Sequence, residues 1–369
     1  MHENIYSIAD ITNLHSPSLI VFLDLVKQNI EQMIRIAGDP NRLRPHCKTH
    51  KISEVVALQQ QAGIHKFKCA TLSEAEMLAR ANVQDILLAY NPVGPNIKRV
   101  VELANAFPKL QLSVTVDHPL PLELLSQAAS EARVEIQALL DLDTGLQRTG
   151  VDPQSAGAMH LYELICSCPG IKPGGLHWYD GQHHQRDPFE RRVAIEAGWQ
   201  NCLRLKDQLF TNGLSVPRVV AGGTGSFPIY AEHIEPELEL SPGTVVFHDA
   251  GYLDAFPDLK FTPAALVLTR VISCPSETRM TLDAGTKAIA SDPPFEKRAT
   301  FPELPDARIV LHNEEHLVIE TKIADQFAPG DPVLAIPWHI CPTTALHESV
   351  YVCEAGQVNS QWRVAARNR

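Results

Sequence analysis

The sequence predicts a (β/α)8 barrel followed by a second, β-rich C-terminal domain, and three observations carry that expectation. Apolar runs of strand length alternate with helically spaced stretches eight times over roughly 230 residues, the size of one such barrel. Beyond about residue 247 the texture changes to short β-prone runs interrupted by Pro and Gly. At 369 residues the chain has room for one barrel-sized domain and a smaller one. A doubly wound open sheet shows the same alternation, so periodicity alone does not separate the two.

Taken in order, strands are expected at 19–24, in the run ending at Lys48, and at 64–70, 85–90, 110–116, 134–140, 171–178 and 217–221. Helical spacing fills the intervals at 25–37, 52–62, 73–81, 96–106, 121–132, 154–166 and 187–211. Ser73-Glu74-Ala75-Glu76 has the form of a capping residue followed by an acidic first turn. These elements place the barrel at 18–246. The β-rich domain is expected at 247–369, joined by residues 1–17, with strands at 264–272, 308–311 and 317–321, a loop at 291–294 and no convincing helix. No internal repeat, low-complexity tract or coiled-coil heptad is present.

The hydrophobic share of 44% and the charged share of 20% are those of an ordinary globular protein. A formal net charge of −11 argues against general nucleic-acid binding. No apolar run approaches the ~20 residues that span a bilayer, and Met1-His2-Glu3-Asn4 lacks the basic start and apolar centre of a signal peptide. A cytoplasmic location is the default expectation. Eight cysteines scattered through a long chain fit reduced thiols better than a disulfide scaffold, and Cys166 and Cys168 are expected at a helix end or in the core.

Chemistry concentrates first at Arg44-Pro45-His46-Cys47-Lys48-Thr49-His50-Lys51. Lys48 stands at a strand-to-helix junction, where α/β enzymes place reactive groups, and it is expected to hold a cofactor. An amine that attacks a carbonyl must be neutral, and the positive charge of Arg44, His46, His50 and Lys51 would disfavour its ammonium form. A solvated basic loop is the plainer alternative. After the strand at 217–221, Ala221-Gly222-Gly223-Thr224-Gly225-Ser226 offers small residues whose N–H groups can approach an anion, at the place where barrels bind phosphate.

Two further stretches end strands. In Asp141-Leu142-Asp143-Thr144-Gly145-Leu146-Gln147-Arg148, Arg148 could donate as a fork to a ring oxygen or a carboxylate, or simply pair with a neighbouring aspartate. In His177-Trp178-Tyr179-Asp180-Gly181-Gln182-His183-His184, Tyr179 offers an aromatic face and a hydroxyl, while His183 or His184 offers a titrating base. Near the C-terminus, an extended Pro337-Trp338-His339-Ile340-Cys341 would set His339 and Cys341 on one face, where imidazole and thiolate could share a metal. The soft thiolate favours zinc, and His347 is a candidate third ligand.

Together these stretches resemble the family of D-threonine aldolases and D-serine dehydratases, pyridoxal-phosphate enzymes of the alanine-racemase-like fold. The likeness covers nearly the whole chain. It rests on RPHCKTHK at 44–51, ATLSEAEML at 70–78, DILLAYNPVGP at 85–95, DLDTGLQRTGV at 141–151, YDG at 179–181, GGTGS at 222–226, SPGTVVFHDA at 241–250, LDAGTKA at 282–288, EEH at 314–316 and HICPTTALH at 339–347. The resemblance implies a homodimer with active sites near the subunit interface, pyridoxal 5′-phosphate as cofactor, and a divalent metal, with zinc ahead of manganese or magnesium. By the same likeness Lys48 is the Schiff-base lysine, and Gly222, Gly223, Thr224, Gly225 and Ser226 hold the phosphate. Arg148 and Tyr179 lie along the pyridoxal ring, Tyr179 with His183 or His184 takes part in catalysis, and His339 and Cys341 bind the metal.

The chain departs from the family pattern at three places. Gln182 follows YDG where relatives commonly have histidine, Val245 replaces a tyrosine often found after PGT, and the metal pair is His-x-Cys, as in the dehydratases, where aldolases tend toward His-x-Asp. The resemblance therefore implies a lyase for β-hydroxy-D-amino acids, of the D-serine/D-threonine dehydratase type first and the D-threonine aldolase type second. Racemisation needs no metal, and non-catalytic pyridoxal-phosphate-binding chains are shorter and lack the β domain, so both rank lower. A metal-binding β domain beside an inert barrel is a further alternative.

Overall fold

The computed structural model describes residues 5–369. The chain opens with β1 (Ser18–Phe22) and α1 (Leu23–Ala37), and α2 (Ser53–Gln61) follows the turn that carries Lys48. Six strand–helix pairs come next: β2 (Lys66–Cys69), α3 (Leu72–Arg80), β3 (Asp85–Leu88), α4 (Pro95–Ala106), β4 (Gln111–Val116), α5 (Pro119–Ala132), β5 (Ile136–Leu142), α6 (Ala156–Ser167), β6 (Ile171–Trp178), α7 (Pro188–Thr211), β7 (Val219–Ala221) and α8 (Phe227–Tyr230). β8 (Leu238–Leu240) closes this series. Thereafter come α9 (Ala250–Ala255), β9 (Ala265–Ser276), β10 (Arg279–Leu282), β11 (Ala299–Thr300), β12 (Arg308–His312), β13 (Leu317–Glu320), β14 (Pro332–Pro337), α10 (Ile340–Leu346), β15 (Ser349–Glu354) and β16 (Gln357–Arg363).

The chain divides into two compact units. The larger comprises 34–48, 55–243 and the last two residues; the other comprises the described residues up to Met33 with 49–54 and 244–367.

In the larger unit β2 to β8 form a seven-stranded sheet in sequence order, all neighbours parallel. Residues 43–46 bridge its two edges: Leu43 pairs with Leu240, His46 with Lys68, and the Arg44 N–H donates to the Leu240 carbonyl at 2.8 Å. That short segment is the first stave of an eight-stave barrel. The count differs from expectation by one at each end. The run at 19–24 is not a barrel strand, and the eighth stave is β8, whose three residues are too short to declare themselves by periodicity. Lys48 thus follows the first stave and the glycine loop follows the seventh. The helix after β2 is capped by Thr71, whose hydroxyl accepts the Glu74 N–H at 3.2 Å; the expected cap, Ser73, lies inside the helix.

A strand's two-residue period sorts inward side chains into layers. Leu87, Leu139 and Val220, from alternate strands β3, β5 and β7, make a dry central layer. Two positions earlier on the same strands stand Asp85, Gln137 and Arg218, members of an ionic floor. Its centre is Arg44, fully buried, which donates to Asp85 Oδ1 and Oδ2 at 2.8 and 3.0 Å and to Glu239 Oε2 at 2.5 Å. Lys66 donates to the other Glu239 oxygen at 2.8 Å. Burial acts to raise the Glu239 carboxyl, yet Arg44 and Lys66 hold it down at about 2. Two positions later on β3 and β5 come Ala89 and Asp141, at the rim where barrels carry chemistry.

The second unit is a mixed sheet ordered β12-β13-β10-β9-β1-β15-β16, with β14 on β9 and β11 on β14. β1 is antiparallel to β9, Leu19 opposite Val267, and parallel to β15, Leu19 opposite Val350. An apolar run buried on both faces satisfies either sheet, which is why its sequence did not reveal which one it joins. Two short helices, α9 and α10, interrupt the region read as helix-free. Asp249 caps α9 and also accepts the Ile340 N–H at 3.0 Å, tying the two helix starts together. None of the eight cysteines, all among the described residues, forms a disulfide. No helix among the described residues is long and apolar enough to cross a membrane.

Removing one partner of a buried ion network strands the other charge. Glu239→Gln is expected to lower the unfolding free energy by about 3 kcal/mol at pH 7, measured by chemical denaturation. The Glu239 pKa is depressed on folding, so its contribution is present above the ordinary value of 4.5 and is lost as pH falls through about 2; wild type and variant should converge there.

Candidate active site

The C-terminal rim of the barrel unit encloses a cavity of about 490 Å³. Its walls are Lys48 and His46 from the first stave, Lys68 from β2, Tyr90 and Asn91 after β3, Thr115 and Asp117 from β4, Asp141 and Arg148 from β5 and its loop, and His177 and Tyr179 from β6. Lys48 sits in a single 3-10 turn, Cys47–Thr49. The turn is fixed from both sides: the Lys48 N–H donates to His46 Nδ1 at 3.2 Å, and the buried Glu74 carboxylate receives the Ala70 N–H at 2.7 Å and the Cys47 thiol at 3.8 Å. Among the described residues His46, Cys47 and Glu74 are the one trio of metal-type donors whose atoms converge within 4.8 Å. Their bonds to the turn account for them as its lock.

Three cations meet at one ring. Lys48 Nζ lies 5.6 Å, Lys68 Nζ 5.5 Å and Arg148 Cζ 4.8 Å from the Tyr179 ring centroid. The two cations that share this ring with Lys48, Lys68 and Arg148, come from outside its own motif. Arg44 belongs to the floor, His46 is bonded to the turn, and His50 and Lys51 belong to the other unit. There His50 is buried, which lowers its pKa to about 3, and Lys51 Nζ donates to the Ala366 carbonyl at 3.5 Å. Lys68 was missed. The signal was a lysine two positions beyond Lys66 in a strand with one face inside a barrel, and burial with Lys48 nearby lowers its pKa to about 7.

At the same rim the His177 Nδ1–H donates to Asp141 Oδ1 at 2.6 Å. Burial lowers the pKa of His177 despite the carboxylate, and Asp141 is also held low as the contacts of His177, Thr149 and Arg148 outweigh its burial. The pair is thus a neutral imidazole beside an ionised carboxylate, and His177 Nε2, buried, has no hydrogen-bond partner among the described residues. His177 too was not singled out from sequence.

The glycine loop lies beneath Tyr179. A Cβ on Gly223 would stand 3.2 Å from Tyr179 Cε2, so a side chain there would press on the ring. The loop is shaped by Asp180, whose carboxylate receives the Ser226 hydroxyl at 2.6 Å and the Tyr230 hydroxyl at 2.7 Å, while the Gly223 N–H donates to Ser226 Oγ at 3.0 Å. Gly222 takes φ +85°, open to glycine without strain. None of Gly222, Gly223, Thr224, Gly225 and Ser226 is on the cavity wall itself. Nor are His183, half-buried with its pKa lowered by burial against Asp180, and His184, which is exposed.

His339 and Cys341 fall in the β unit. They are not in an extended run: His339 caps α10 and Cys341 is in its first turn, so it is the helix start that brings them together. His339 Nδ1 lies 2.5 Å from Asp292 Oδ2, and Cys341 Sγ lies 3.2 Å from Thr49 Oγ1 and 3.5 Å from Thr244 Oγ1. Burial acts to lower the His339 pKa, but Cys341 and Asp292 raise it to about 9. Asp292 was read only as part of a loop; a carboxylate on a histidine's ring nitrogen is the usual support of a metal-binding imidazole. His347 does not join them: among the described residues its ring nitrogens do not converge with His339 and Cys341, and its Nε2 is engaged with the Ala288 carbonyl at 2.9 Å.

Comparison with known proteins agrees with this architecture. The family model for the alanine racemase N-terminal domain matches residues 21–250, and one for a serine dehydratase domain matches 264–353. The chain is 30% identical to a D-threonine aldolase from an Arthrobacter species, over 97% of this chain and 94% of that one. It is 25% identical to a D-threo-3-hydroxyaspartate dehydratase from a Delftia species, over 90% and 92%. A solved D-threonine aldolase from Filomicrobium marinum superposes with a TM-score of 0.90 at 28% identity, covering 98% of each chain. The chain belongs to the alanine racemase N-terminal domain family, among the D-threonine aldolase and D-serine dehydratase-like members that carry a C-terminal β domain.

Proposed function

We propose that this protein is a pyridoxal-phosphate- and metal-dependent lyase for β-hydroxy-D-amino acids, and that it eliminates the β-hydroxyl to give a 2-oxo acid and ammonia. The observation that carries the reading is the rim cavity in which Lys48, Arg148 and Tyr179 converge. The cavity fits the cofactor on its own chemistry: an amine at a strand end, a cation over an aromatic ring, and a buried His177 Nε2 with no hydrogen-bond partner among the described residues. When bound, pyridoxal phosphate supplies a carbonyl for an amine and a conjugated ring that stores electrons.

Lys48 is the residue that would hold the cofactor, and its Nζ would be the base that takes the α-proton of the substrate. Arg148 neutralises an anionic oxygen beside the ring of Tyr179, and Tyr179 buttresses that arrangement from the loop side. Gly222, Gly223, Thr224, Gly225 and Ser226 would hold the phosphate, kept in shape by Asp180 and Tyr230. In the β unit His339 and Cys341 would hold the divalent ion, zinc on the softness of the thiolate, with Asp292 orienting His339; such an ion supplies Lewis acidity to a poor leaving group. A homodimer in the cytoplasm completes the proposal.

Retro-aldol cleavage to glycine and an aldehyde is the second reading, favoured by whole-chain likeness to D-threonine aldolase. It requires a base for the hydroxyl proton, and His183 and His184, the residues expected to provide one, stand off the cavity wall. Elimination needs no such base there, and the His-x-Cys pair also favours it.

Product analysis separates the two. The purified protein, loaded with pyridoxal phosphate and zinc or manganese, should convert D-serine to pyruvate and ammonia and D-threonine to 2-oxobutyrate and ammonia. Glycine with acetaldehyde from D-threonine would replace elimination by the aldol reading. Lys48→Ala should lose both the absorbance band of the bound cofactor and turnover. Cys341→Ala should keep the band and lose turnover together with bound metal, followed by elemental analysis; unchanged turnover would remove the metal role. Asp292→Asn should weaken metal affinity about 10- to 100-fold in a chelator competition.

A further inference from the structure

Lys68 has no part in the reaction as proposed, yet its surroundings are those of a group waiting for an anion. It is 2% exposed, on β2, two residues beyond Lys66 and so on the same inward face one layer higher. Its amine lines the cavity that holds Lys48 and Arg148. Among the described residues that amine has no hydrogen-bond acceptor, and what it meets is the Tyr179 ring at 5.5 Å. The cavity's two carboxylates are engaged elsewhere. Asp141 takes the His177 N–H at 2.6 Å, and Asp117 takes the Asn91 amide at 2.5 Å and the Gly150 N–H at 3.1 Å.

The charged groups that bear on Lys68 are Lys48 and Arg148 at the rim, Arg44 from the floor and Asp141 on β5. Burial and Lys48 lower its pKa to about 7 against the pull of Asp141. A lysine kept for packing alone would be cheaper as an apolar residue of the same length, because a buried amine without an acceptor carries a desolvation cost that no contact returns.

We propose that Lys68 binds an anionic oxygen of the molecule that fills this cavity, working with Arg148 as a pair of cations beside Tyr179. The inference rests on the pyridoxal-phosphate reading of the same cavity. The oxygen has two sources, the phenolate of the cofactor ring or a carboxylate of the amino-acid substrate, and both offer the same chemistry to an ammonium.

The test is binding, not turnover. Dissociation constants of pyridoxal phosphate for the apo protein, and of unreactive D-malate for the holoenzyme, are measured by calorimetry at pH 8 for wild type, Lys68→Met and Lys68→Arg. A tenfold or greater loss for pyridoxal phosphate in Lys68→Met, with D-malate unchanged and partial recovery in Lys68→Arg, assigns the oxygen to the cofactor. The converse pattern assigns it to the substrate carboxylate. Changes below twofold for both probes, with wild type binding both, overturn the role of Lys68 and leave the functional reading standing.

Wild type that binds no pyridoxal phosphate overturns the functional reading and this inference with it. Should Lys68→Met fail to fold, Lys68→Gln, which keeps a polar side chain without the charge, takes its place in the same titrations, and wild-type affinity for both probes in that variant would overturn the proposal.

Discussion

The barrel is organised around a guanidinium with no access to water. Arg44, on the first stave, is anchored to both oxygens of Asp85 on β3 and to Glu239 on β8. A fork of fixed geometry tolerates little displacement of its partners, so it sets the heights of the first stave, β3 and β8 relative to one another. Because 43–46 makes only isolated bridges to its neighbours, that side-chain lock is what gives the shortest stave a defined register. Lys48 stands four residues further along, in a turn locked by His46 and Glu74. The position of the Lys48 amine is thereby tied to the floor through a few rigid residues.

Above the floor the period of the strands does the rest. The dry layer of Leu87, Leu139 and Val220 separates an ionic network from a titratable rim, so charges on one side are insulated from those on the other only by three side chains. Burial first, and then the neighbouring cations led by Lys48, lower the pKa of Lys68 there. Among the described residues the rim holds an amine without an acceptor and an imidazole nitrogen without a donor, the two unmet groups on which the functional proposal draws.

The β unit uses a different device. The start of α10 sets His339 and Cys341 side by side, and Asp249 pins that start to the start of α9. The pair falls at a helix start and not on an alternating strand, although either conformation would place the residues close. Asp292, on a Pro-rich loop far back in the sequence, orients the imidazole.

From the sequence alone came the element order, the family, and the residues of the linear motifs, because apolar periodicity and motif spacing are local properties of the chain. Lys48, Arg148 and Tyr179 were legible for that reason, and the structure brings them to one cavity. What only the tertiary structure decided was which sheet an apolar strand joins and which way a side chain faces. β1 could satisfy its buried faces in either unit, and β8 was too short to have a period. Lys68 and His177 became site candidates only once the closed barrel turned alternate residues inward; in a flat reading of the chain they are a lysine and a histidine in apolar surroundings. His183 and His184, conspicuous in the sequence, stand off the cavity wall, since a histidine pair in a loop has no periodicity to aim it.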